Sequence, residues 1–233
     1  MCAKVLTVYC VNDAATEYAA YWARLIGSAA AMLGHQVRDL SGSFDTEYGL
    51  LTAMEQYQPD YVILAGHGSA TVFTGAGMQV VLEACRNDGM MAGSQCQFIS
   101  CLTGISLCPS MVSKGAVVAQ GFTAEFIWMI NGSGVPSADP YAASFTRTLV
   151  ESAKEVLRGG SWQDFYNTFR RVSDEEIVWW GGSADPLAAS VMMCLRSNRD
   201  SLVVSGAGSM EVPEGGNLLV PALAAAAILM RGS

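Results

Sequence analysis

Short runs of β-branched and apolar residues recur along the first half of the chain, each too brief for a helix and each followed by a stretch of helical spacing. KVLTVYCV (4–11), QVRDLS (36–41), DYVILAG (60–66), SQCQFISC (94–101) and GAVVAQGF (115–122) form the series. Most are apolar at successive rather than alternate positions, the pattern of strands covered on both faces. Such strands belong to a mostly parallel sheet between layers of helices. The intervening segments supply those layers. After Asp13, the residues Trp22, Ile26, Ala29 and Leu33 share one helical face before Gly34 ends it. Further helices are expected over 45–57, 78–85 (MQVVLEAC) and 105–112 (ISLCPSMV), and from Asp139 onward the chain turns helical over 141–159, 161–172 and about 187–196. The expected fold is α/β: a three-layer sandwich around a mostly parallel sheet of about six strands, built by residues 1–200 as one domain.

Residues 201–233 differ in kind. SGAGSMEVPEGG (205–216) reads as a Gly-rich connector, and NLLVPALAAAAILM (217–230) carries no charge before Arg231. That apolar stretch is shorter than the roughly 20 residues a membrane span requires. Left in water it would form a patch that soluble monomers rarely tolerate. The expected cover is protein, in a self-associated form rather than a monomer, ahead of contact with a membrane.

With 233 residues, 51% of them hydrophobic, the chain can bury a sizeable core. Its net charge of −8, with no basic stripe, argues against nucleic acid or an anionic membrane surface as partner. A peptide, a protein or a small molecule fits better. The seven cysteines are odd in number and lack the paired CxxC spacing of a zinc site, so no metal is expected. The opening MCAKVLTVYC holds no long apolar leader, and a cytoplasmic protein with reduced thiols follows. Neither a GxGxxG fingerprint, a Walker loop nor a GxSxG elbow occurs, and no cofactor is called for.

One of only two histidines, His67, stands between Gly66 and Gly68 at the end of the third strand run. Cys101 ends the fourth. Ligands of open parallel sheets sit at the carboxyl ends of the strands, so if these two strands are neighbours, imidazole and thiol share one edge. A thiol of ordinary pKa is mostly protonated at neutral pH, and a nearby imidazole with a helix N-terminus would shift it toward the nucleophilic thiolate. The helix expected shortly after Cys101 would supply that terminus. Gly68 has no side chain to block a substrate, and its backbone N–H can help hold an oxyanion. The glycine-rich GSATVFTGAG (68–77) reads as a mobile loop flanking the substrate.

YVILAGHGSA, then QCQFISCLTG, then GAVVAQGF together resemble the caspase-like cysteine peptidases of clan CD, the group of caspases, gingipains, legumains, clostripain-like enzymes and the related CHAT domains. The resemblance covers roughly residues 1–160. It implies a caspase-like sandwich, His67 as general base or acid, Cys101 as nucleophile, and the backbone N–H groups of Gly68 and Cys101 as the oxyanion hole. It implies thioester-forming endopeptidase activity on peptide or protein substrates. The chain departs from proper caspases at the nucleophile, where Ile99 and Ser100 precede Cys101 in place of a QAC-type sequence, so aspartate specificity is not implied.

Taken singly, Cys101 would be core filling, as assumed for Cys10, Cys85 and Cys96, and His67 a structural histidine. Their pairing one βα unit apart reverses that order. The other reading that stands is a caspase-like domain whose pair is silent or gated and which acts as a scaffold or sensor through protein–protein contact. The aromatic pair Trp179–Trp180 is expected in the core or as a loop anchor.

Overall fold

A computed structural model of the chain describes residues 2–132 and 134–206. The connector from residue 207 and the apolar stretch 217–230 lie outside the described residues, and the expected self-association through that stretch lies there with them.

Strands β1 (Lys4–Tyr9), β2 (Gln36–Ser41), β3 (Tyr61–Ala65), β6 (Gln95–Ile99), β7 (Val118–Phe122) and β8 (Leu202–Gly206) form one sheet in the order β2-β1-β3-β6-β7-β8. The first five are parallel and β8 runs antiparallel to β7. Alternation along each central strand sends side chains to both faces, and each face has its own core. Val5, Tyr61, Ile63, Ile99, Val118 and Phe122 pack with helices α1 (Ala14–Met32), α4 (Pro140–Leu157), α5 (Trp162–Gly181) and α6 (Ala188–Ser201). Leu6, Val8, Val62, Leu64, Phe98 and Ala119 pack against α2 (Glu47–Tyr57), α3 (Leu107–Ser113) and a small hairpin. Three layers result, and full burial of a side chain such as Ile63 or Phe98 contributes about 1.5–3 kcal/mol.

Several expectations need correction. MQVVLEAC is not a helix: Val80–Glu83 is strand β5, paired antiparallel with β4 (Val72–Thr74) across a register shift. Its adjacent valines favour extended backbone, and the pairing buries Val81 and Leu82 on the sheet, which one short helical turn could not do. The same hairpin takes in much of GSATVFTGAG, where Phe73 is fully buried, so the segment after His67 is a strand pair docked on the core and not an open loop. Helix α5 continues past residue 172 to Gly181. That places Trp180 in the core with its indole N–H on Ser144 Oγ at 2.9 Å, while Trp179 is exposed. Cys85, assumed buried, is exposed; all seven cysteines are free thiols. The sheet runs on to Gly206, so its last strand comes from the segment that the sequence assigns to the connector. Among the described residues no helix is long and apolar enough to cross a membrane.

Candidate active site

Strands β3 and β6 are direct neighbours, with Tyr61 opposite Gln95 and Ala65 opposite Ile99. Two residues beyond each end come His67 and Cys101, so the parallel register brings both to one edge of the sheet. The last ladder bond runs from Gly66 N to Ile99 O at 3.3 Å. Among the described residues the backbone N–H groups of Gly68 and Cys101 donate to no protein acceptor.

Gly68 is there for a reason different from the one the sequence offers. A Cβ at this position would lie 2.3 Å from Ser100 Oγ and 2.9 Å from both Cys101 O and Thr103 Cγ2. The missing side chain therefore lets the chain after β3 press against the turn that carries Cys101. Immediately after the thiol, Leu102 takes a left-handed conformation (φ 61°) that only a tight turn requires, and its N–H bonds Ala124 O at 3.0 Å. Gly68→Ala should lower stability by about 1–3 kcal/mol, because two of the three close atoms belong to the Cys101–Thr103 turn and the overlap forces backbone shifts. A urea midpoint no lower than that of the wild type would show that this close approach is not required.

A partner for His67 comes from the loop that follows β1, the strand on the other side of β3. His67 Nε2 lies 2.6 Å from Asp13 Oδ2, with side-chain exposures of 33% and 48%. Asp13 is also the N-cap of α1, accepting from Thr16 N at 2.8 Å in a capping box. Partial burial works to raise the Asp13 carboxyl, but the hydrogen bonds from Thr16 and His67 outweigh it and hold the group below the usual carboxylate range. Asp13 thus fixes the imidazole as the orienting member of a nucleophile–base–acid set would. The sequence carried a signal for it: Asp13 lies in the short loop between β1 and α1, at the same end of the parallel strands as His67.

Cys101 is partly buried, and its S–H points to the Phe126 carbonyl at 3.8 Å. Burial pushes the thiol above its ordinary pKa; the main chain of Phe126 offsets part of this and the Glu125 carboxylate adds to it. No hydrogen bond joins Cys101 to His67 among the described residues. Nor does a helix dipole assist: α3 begins six positions after Cys101, and its first N–H groups are taken by Ala70 O and Thr103 O. The expected activation by imidazole and helix terminus is therefore absent from this arrangement. The other histidine, His35, is structural, accepting from Ala3 N at 3.1 Å and meeting Leu157 O at 2.7 Å.

A second group at this edge escaped the sequence reading. Asn12 accepts from Gly77 N at 3.0 Å and donates to Gly75 O at 2.9 Å, tying the turn before β5 to the end of β1. Beside it the carboxyl of Asp45 is fully buried. Among the described residues no group of three His, Cys, Asp or Glu side chains could hold a metal ion. No family model and no curated protein matches this chain, leaving its own side chains as the guide to its chemistry.

Proposed function

We propose that the chain is a caspase-like cysteine endopeptidase with Cys101 as nucleophile and His67 as its base. The observation that supports this best is the register of β3 and β6, which delivers an imidazole and a thiol to one strand-end edge, two residues past paired positions. In the reaction the Cys101 proton passes to His67 and the sulfur bonds to the carbonyl carbon of the scissile peptide. The backbone N–H groups of Gly68 and Cys101 receive the resulting oxyanion. The C–N bond then breaks as His67 gives its proton to the leaving amine, producing a thioester. Water, deprotonated by His67, hydrolyses the thioester; the acid product leaves and Cys101 regains its hydrogen. Asp13 holds the imidazole throughout and stabilises its charged form.

The resting geometry supports one qualification of substance: the pair is gated. His67 is engaged by Asp13 and Cys101 by Phe126, so substrate or a conformational change must bring them together. The alternative, a scaffold or sensor with a silent pair, draws on the same observation. Labelling the purified protein with a peptidyl acyloxymethyl ketone and profiling it on a peptide library separates the two. Cys101 should be modified well ahead of the other six cysteines, and cleavage should be seen with the wild type and not with Cys101→Ala. Cleavage that persists in Cys101→Ala, or a wild type that cleaves no peptide and is not labelled at Cys101, would exclude the peptidase.

A further inference from the structure

Residues 123–131, which leave β7, cross the edge of the sheet on the side of Cys101. They are fastened along their whole length. Thr123 N bonds Ser201 O at 2.8 Å, Ala124 O accepts from Leu102 N at 3.0 Å, and Asn131 N bonds Asp139 Oδ2 at 2.9 Å. The Phe126 ring is buried, with ring centroids 4.8 Å from Phe122 and 5.8 Å from Trp22. At the centre Asn198 of α6, 2% exposed, holds both polar groups of one residue: Ile127 N donates to its Oδ1 at 3.0 Å, and its Nδ2 donates to Ile127 O at 2.7 Å. This two-point clamp fixes the peptide next to Phe126, whose carbonyl takes the Cys101 S–H.

We propose that residues 123–131 are an autoinhibitory strap and that Asn198 is the positioning residue that keeps it closed, holding the Phe126 carbonyl on the Cys101 thiol and the thiol away from His67. The inference rests on the peptidase reading of Cys101 and His67. Two features make α6 a handle for the strap. Asn198 and Ser201, which together bind residues 123 and 127, both lie in the last turn of α6, and β8 follows directly. A displacement of α6 therefore loosens the middle and one end of the strap in the same movement. Burial is the main cause that raises the Cys101 thiol, and opening the strap would expose the sulfur and relieve part of it.

The test is alkylation by iodoacetamide, followed by mass spectrometry at each cysteine of the full chain. Asn198→Ala should accelerate alkylation of Cys101 by about tenfold, as expected when a local closed state is destabilised without global unfolding. Asn198→Asp retains the acceptor for Ile127 N but sets a carboxylate oxygen against Ile127 O, and should accelerate alkylation at least as much. Buried Cys10, Cys96 and Cys108, which lie off α6, should be unchanged in both variants, which a merely structural loosening would not allow. No acceleration at Cys101, or equal acceleration at the buried cysteines, overturns the strap. Should Asn198→Ala fail to fold, Asn198→Asp decides by the same criterion. Alkylation requires no turnover, so a chain that passes this test yet cleaves no peptide in the library keeps the strap and loses the peptidase.

Discussion

Cys101→Ala and His67→Ala should each remove peptide turnover by roughly 10⁴-fold or more, and the double variant should be scarcely worse than either alone. The expectation follows from the chemistry of the pair. Sulfur is the atom that bonds to the substrate, and without an imidazole to take its proton a protonated thiol is a poor nucleophile. Once either is gone the other has nothing to act on, so the losses do not add; each amounts to about 5 kcal/mol of transition-state stabilisation or more. Cys101→Ala should leave the fold nearly intact, because the residue is only partly buried and its thiol makes one long hydrogen bond. The measurement is kcat/KM on the best library peptide for the wild type and the three variants. Losses that multiply in the double variant would mean that the two side chains serve separate steps.

The strap and the pair together explain why the site was only partly legible in the sequence. The β-branched apolar runs were, because a strand buried on both faces must be apolar at successive positions, and Val5–Leu6 and Tyr61–Ala65 obey that rule. The strand-end positions of His67 and Cys101 follow from the same runs. Val80–Glu83 misled, since a four-residue apolar stretch has no period long enough to separate helix from strand, and only pairing with Val72–Thr74 decides it. What the side chains at the edge do with one another was not written locally. Asp13 reaches His67 across 54 positions, and Asn198 reaches Ile127 across 71. Both contacts exist only once the strands have been ordered. The thiol's environment likewise depends on the segment after β7, which has neither the periodicity of a helix nor that of a strand.

Asp45→Asn should make the protein more stable above neutral pH and remove much of its loss of stability between about pH 4 and 7. Asp45 is fully buried, and among the described residues neither carboxylate oxygen receives a hydrogen bond of normal geometry. Its backbone O accepts from Ala76 N at 2.8 Å, and a Cβ on Gly75 would lie 2.5 Å from Oδ1, so the turn holding Gly75 is pressed directly onto the acid. Burial pushes its pKa up to about 7, with the neighbouring Cys10 thiol lowering it only in part. Cys10 in turn is raised to about 12 by its own burial and by the Asp45 charge, so it stays protonated over this range. The folded chain therefore keeps the Asp45 proton while the unfolded chain, with a carboxyl pKa near 3.9, releases it. Stability is fully present below the unfolded pKa and declines as pH rises through the folded one, because over that window the native state binds more protons than the unfolded state. With the folded carboxyl at about 7 and the unfolded one near 3.9, the decline is at most about 4 kcal/mol. Asparagine matches the neutral acid in shape and cannot ionise, so the difference in urea midpoint between wild type and Asp45→Asn should be small near pH 4 and widen steadily to about pH 7–8 in favour of the variant. Because Asn12 ties the same turn to the end of β1, next to Asp13, ionisation of Asp45 would strain the support of His67 as well as the fold. Parallel pH profiles for the two proteins would assign the titration to another group.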